Sequence, residues 1–144
     1  MKTENFPARS PAEKVGDIVY FGRMLDKIRA HERGELPGDY VPNLGKGFDG
    51  RCVRFLGVAY EDVVRRANEG GSDEEVLQWA FENGHRPSEE ELEIWNEFMR
   101  KCGWNDDVTE MLERRKMEGG LSDRADLQTM FQFIDADEGR EPQT

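Results

Sequence analysis

Apolar residues return every three or four positions along most of this chain, and nowhere do they alternate with polar ones long enough to mark a strand. That periodicity restricts the fold to helices packed on helices, because each stripe must be buried against another. Glycine punctuation divides the stripes. Ile18, Phe21, Leu25 and Ile28, with Met24 on the same side, predict a helix from Asp17 to a stop at Gly34. Val53, Phe55 and Leu56 form the stripe of a short helix over 48–56, and Val63, Val64 and Ala67 that of another over about 60–68.

Two capping boxes then mark helix starts independently of periodicity. Ser72 with Glu75, and Ser88 with Glu91, each pair a capping hydroxyl with a carboxylate three residues on. The helices they open carry Val76, Leu77, Trp79 and Ala80, then Leu92, Ile94, Trp95, Phe98 and Met99. Asp106 or Asp107 can begin the next, with Val108, Met111 and Leu112 inward. Ser122 is the expected cap of the last, whose stripe is Leu127, Met130, Phe131 and Ile134. Ser10-Pro11 is a further entry signal, since proline tolerates the first helical position. Between 34 and 47, Gly34, Pro37, Gly38, Pro42, Gly45 and Gly47 predict an irregular loop, with Tyr40 and Val41 as a short extended piece. The reading is an all-α, compact single domain of about six or seven helices joined by short glycine-containing loops. An N-terminal extension over 1–9 precedes a helical domain over 10–135, and 136–144 reads as a flexible acidic tail.

At 144 residues such a domain can bury a real core without staples. The apolar runs fall far short of the roughly 20 residues that span a bilayer, and the first residues lack the apolar stretch of a signal peptide. Cys52 and Cys102 form no Cys-x-x-Cys pair, and His31 and His85 are too few for a histidine-rich zinc site. Asp135-x-Asp137 with Gly139 lacks the glycine position and closing glutamate of a calcium loop, and Gly45-Lys46-Gly47 lacks the spacing of a phosphate-binding loop. No metal and no cofactor is therefore expected. A net charge of -11 disfavours nucleic acid. The charge is unevenly placed: residues 1–50 are neutral, Arg51, Arg54, Arg65 and Arg66 make 51–66 an island of +2, and the rest carries -13.

Candidate chemistry concentrates on the first long helix. At 100 degrees per residue from Ile18, its main apolar face spans Met24, Ile28, Phe21 and Leu25, while Asp26, Val19, Ala30 and Arg23 fall on the opposite side. Small and apolar positions beside a charged pair make sense if another element covers them, leaving Arg23 and Asp26 as a partly buried pair. Tyr20, Arg23 and Lys27 converge at one rim by their spacing. Such a cluster suits an anion, and a desolvated lysine can act as base or Schiff-base nucleophile. Tyr40, from the glycine-rich loop, completes the ligand-binding candidates, with Asn96 beside Trp95 as a further polar contact.

Ser10-Pro11 through Lys14-x-Gly16, Arg23-x-x-Asp26-Lys27-x-Arg29 and Gly38-x-Tyr40, followed by Phe55-Leu56-Gly57, Asp73-Glu74-Glu75-Val76-Leu77-x-Trp79 and Ile94-Trp95-Asn96, resemble the landmarks of an uncharacterised bacterial domain family. The resemblance covers about residues 10–105. It implies a cytoplasmic bacterial helical protein and directs attention to the same helix, but implies no substrate.

Two readings of function follow. The breadth of missing catalytic motifs favours a non-catalytic binding or protein-interaction module whose acidic later helices meet a protein partner. The alternative is a cofactor-independent small-molecule enzyme or ligand-binding protein for an anionic metabolite, using Tyr20, Arg23, Asp26 and Lys27. The sequence leaves enzyme and binder undecided, and carries no signal for oligomeric state.

Overall fold

In the computed structural model, which describes residues 6–142, helix periodicity is realised as seven α-helices. They are α1 (Phe21–Glu32), α2 (Phe48–Leu56), α3 (Tyr60–Asn68), α4 (Asp73–Asn83), α5 (Glu89–Lys101), α6 (Thr109–Glu118) and α7 (Met130–Asp137). Residues 1–5, the start of the expected extension, and 143–144, the end of the expected tail, lie outside the described residues. No described helix is long and apolar enough to cross a membrane.

The chain is all-α apart from a miniature hairpin, β1 (Lys14–Val15) against antiparallel β2 (Ile18–Val19). Ile18 and Val19 therefore belong to β2, and the first helix starts three residues after Ile18. Two-residue strands are too short for alternation to be read. The decisive signal is Gly16, whose φ of 58° fills the first central position of a two-residue turn, where hairpins of the II′ kind place glycine. Ser10-Pro11 opens a turn instead of a helix. The Ser10 hydroxyl accepts from the Ala12 N–H and donates to Asp135, so its capping capacity is spent on a tertiary contact.

Side chains from α2 to α5 cover the apolar face of α1. Phe21, Met24, Leu25 and Ile28 are buried among Leu56, Val63, Val76 and Trp95 from α2 to α5, each such side chain adding about 1.5–3 kcal/mol of transfer free energy. Its opposite side is covered too: Arg23 and Lys27 are buried and Ala30 is fully so. The hairpin is held by α5, where Trp95 Nε1 donates to the Val19 carbonyl, the Asn96 amide oxygen accepts from Val19 N–H, and its nitrogen donates to the Asp17 carbonyl. Asn96 is thus a clamp on β2.

Both capping boxes form, with Ser72 and Ser88 hydroxyls accepting from the backbone of Glu75 and Glu91 and both carboxylates reaching back. The last helix departs from the expectation. It is capped by Thr129, seven residues after Ser122, and Leu127 is buried ahead of it in an irregular segment. The 34–47 loop contains a 3-10 turn, Gly38–Asn43, where an extended piece at Tyr40-Val41 was expected, because Pro42 sits in a tight turn without breaking a long ladder. Ile94, Phe98 and Trp104 are largely exposed, so the broad stripe read on the fifth helix is only half core: Trp95 and Met99 face inward.

The chain beyond Asp135 packs as well. Ala136 and Asp137 complete α7, and Glu138 is only 2% exposed. Hydrophobicity cannot reveal this segment, because charge pairing holds it in place.

Candidate functional site

Tyr20 enters α1 with φ 76° and ψ -32°, a conformation non-glycine residues rarely adopt and one that stores roughly 1–3 kcal/mol of strain. That backbone sends its ring inward, stacked 6.3 Å from Phe131 and edge-on to Phe48 at 5.8 Å. Its hydroxyl donates to Asp49 Oδ1 at 2.6 Å and accepts from Lys27 Nζ at 3.1 Å. Lys27 Nζ also lies 2.9 Å from Asp49 Oδ1. Asp49, fully buried in the first turn of α2, takes a third hydrogen bond on Oδ2 from the Gly45 N–H.

This triad is buried, and its protonation reflects that. Burial pushes the Tyr20 phenol well above its usual range, and Asp49 adds to the effect. Burial lowers the Lys27 ammonium, against the pull of the Asp49 carboxylate. The Cys52 thiol, fully buried nearby, is pushed up by desolvation and by Asp49, so it stays a thiol.

Arg23 anchors a second network. Its guanidinium makes two bonds to Glu138, Nη1 to Oε1 at 2.8 Å and Nη2 to Oε2 at 2.6 Å, and a third to the Arg9 carbonyl. Burial opposes the charge, but Glu138 raises Arg23 above its ordinary value. Tyr40 donates to Glu138 Oε2 at 2.9 Å and Arg140 to Oε1 at 2.8 Å. Arg140 also reaches Asp135 and the Ala8 carbonyl. Phe6 covers the arrangement, 5.6 Å from the Arg23 guanidinium and 4.8 Å from the Tyr40 ring. The expected Arg23–Asp26 pair does not form. Asp26 turns away and accepts from Arg9 Nε and Nη2, both at 2.8 Å. Although the two are three residues apart, each finds a better-placed partner in another segment.

Tyr20, Arg23, Lys27 and Tyr40 border one cavity of about 770 Å³, and Asp26 does not. The cavity is lined by α1, the 3-10 turn, α2, α6 and α7, with Phe48, Met111, Met130 and Phe133 as its apolar wall. Sequence reasoning missed its other charged members. Lys46, Arg51, Arg54 and Arg115 line it, and none forms an ion pair among the described residues. Arg51 packs its guanidinium 4.9 Å over the Phe98 ring and leaves Nε buried without a hydrogen-bond partner. The signal for Arg51 and Arg54 was the basic island; Asp49 and Glu138 had none, being two carboxylates among 31. In all, six Lys/Arg and four Asp/Glu line the cavity, a local excess of positive charge in a protein of net -11. Among the described residues no group of three His, Cys, Asp or Glu side chains is placed to hold a metal ion.

Residues 5–140 match the family described as Domain of unknown function (DUF5069). The chain belongs to this family. The DUF5069 match runs through α7, so the helices around the cavity and Glu138 all fall within the family domain, beyond the limit near residue 105 expected from the landmarks. No curated protein matches the chain.

Proposed function

We propose that this domain binds a small anionic metabolite in the cavity between α1, α2, α6 and α7. One observation carries the reading: in a chain with 31 acids and 20 bases, four of the Lys/Arg side chains left without an acidic partner border the same cavity. Unpaired guanidiniums near each other repel, and an acid-rich protein has many carboxylates available to neutralise them. Leaving them unpaired at one concave site favours an incoming carboxylate or phosphate, which arginine holds bidentately. The volume lies within the roughly 300–1,000 Å³ usual for small-ligand sites. The free, buried thiols Cys52 and Cys102 support a reducing, cytoplasmic setting.

A protein-docking role for the acidic faces of α4 and α5 draws on their exposed glutamates, which are also the ordinary outside of amphipathic helices. The cavity therefore carries the stronger case.

Thermal-shift screening of organic acids and phosphates tests the proposal. A ligand at 100 times its dissociation constant adds about 2.7 kcal/mol of stability. Arg51→Ala, which removes no ion pair, is expected to weaken binding by about tenfold or more while leaving the melting temperature of the free protein nearly unchanged. Hits that survive Arg51→Ala and Arg54→Ala at full strength place binding elsewhere and refute the site.

A further inference from the structure

Lys27 is the one lysine among the described residues held in a buried triad and bordering a cavity. Its side chain is 10% exposed, yet it lines the 770 Å³ space that the unpaired cations also line. An ammonium needed only for stability has a simpler environment available, an exposed carboxylate, and Lys101 with Glu97 is the example in this chain. Lys27 instead has a carboxylate and a phenol on its nitrogen. The phenol is placed there by a strained residue, Tyr20, with φ 76°. Strain of this kind persists where the surrounding structure over-determines the geometry, and it clusters at working sites.

We propose that Lys27 is an amine nucleophile that captures the carbonyl carbon of an anionic aldehyde or 2-oxo acid, forming an imine. The inference rests on the anion-binding reading of the cavity and adds to it the ligand's reactive group. Asp49 takes one proton from the Lys27 ammonium across the 2.9 Å contact. The freed nitrogen lone pair forms the C–N bond, and the carbonyl π pair moves to oxygen, which takes a proton from the now cationic nitrogen to give a neutral carbinolamine. Asp49 returns its proton to that hydroxyl, which leaves as water while the nitrogen pair completes the C=N bond, giving a protonated imine. One carbonyl and one ammonium thus give one iminium and one water, and Asp49 ends as it began. Asp49, which touches the reacting nitrogen and carries its proton, is a catalytic residue in this step, and Tyr20 acts through Lys27 as a positioning residue. Burial favours the neutral amine that attack requires. The cations around the cavity hold the ligand's anionic group, and Phe48 and Phe133 cover its body.

The test uses pyridoxal 5′-phosphate, an anionic aldehyde, on the full chain. After brief incubation near neutral pH and reduction with borohydride, peptide mapping locates the secondary amine. Modification of Lys27 is expected about tenfold or more faster than that of exposed Lys14 and Lys101, and inorganic phosphate is expected to slow it. Lys27→Arg keeps a cation beside Asp49 and is expected to lose the adduct. The map of the unaltered protein needs no variant, so a misfolded Lys27→Arg does not blunt the test. If inorganic phosphate raises the melting temperature but the adduct sits only on Lys46, the nucleophile is overturned and the anion site stands. If all lysines react alike and phosphate has no thermal effect, both fall.

Discussion

Replacing Glu138 with glutamine keeps the side chain's shape and removes the charge that neutralises Arg23. Arg23 is 3% exposed and Glu138 2%, and the carboxylate also holds Tyr40 and Arg140. In the variant a guanidinium is left in a dry site with one carbonyl oxygen to bond where it had a bidentate carboxylate. Breaking one side of a buried pair costs about 3–5 kcal/mol. In a domain of this size that lowers the melting temperature by about 10–15 °C, and at a urea slope near 2 kcal/mol/M it moves the midpoint by about 2 M. Arg23→Met combined with Glu138→Leu is expected to recover about half the loss or more, since an apolar pair of similar volume avoids the desolvation penalty. Both measurements use circular dichroism at a fixed pH of 7. A Glu138→Gln midpoint within about 2 °C of the parent, the scale of a surface substitution, refutes the claim that this end of the chain is structural. So does a double variant no more stable than the single one, which assigns the loss to shape instead of charge.

Two further perturbations separate local from tertiary causes. A Cβ on Gly84 would stand 2.1 Å from the Leu56 carbonyl oxygen, where His85 N–H also donates, so Gly84→Ala is expected to cost about 2–3 kcal/mol in urea titration. Gly38→Ala meets open space and is expected to be within about 0.5 kcal/mol of the parent; equal losses at both positions would argue against close backbone approach. Burial alone would raise the Asp73 carboxyl, but hydrogen bonds from Arg29 and Arg9 outweigh it and hold it below the ordinary carboxylate range. Its contribution is therefore present above the unfolded value near 3.9 and lost as pH falls through the lower folded one. Asp73→Asn should lower the melting temperature at pH 7, and the gap to the parent should shrink below about pH 4; a gap unchanged at pH 2 would show that the pair is not the cause.

Helix grammar is local, which is why much of the fold was legible. The bounds of α2 and α3 follow from apolar spacing over nine residues each, and the starts of α4 and α5 from a serine and a glutamate three positions apart. Such signals involve atoms within one turn of each other. The hairpin escaped because two-residue strands carry no period, and the start of α7 because Thr129 lacks the acidic partner that made the other caps visible.

The site divides along the same line. Arg23 and Lys27 share a rim because one turn of α1 places them there, and the sequence alone determined that much; Tyr20, just ahead of the helix, joins them through its positive-φ backbone. The sequence could not determine what each one meets. Arg23 bonds a carboxylate 115 residues away, Asp26 bonds Arg9, and Lys27 meets Asp49 from α2. One carboxylate is like another along the chain, and only the packing of α2 and α7 against α1 decides which enter the dry interior. The same packing turned a neutral N-terminal third and a small basic island into one positively lined cavity, because charges far apart in sequence came to share one concave space.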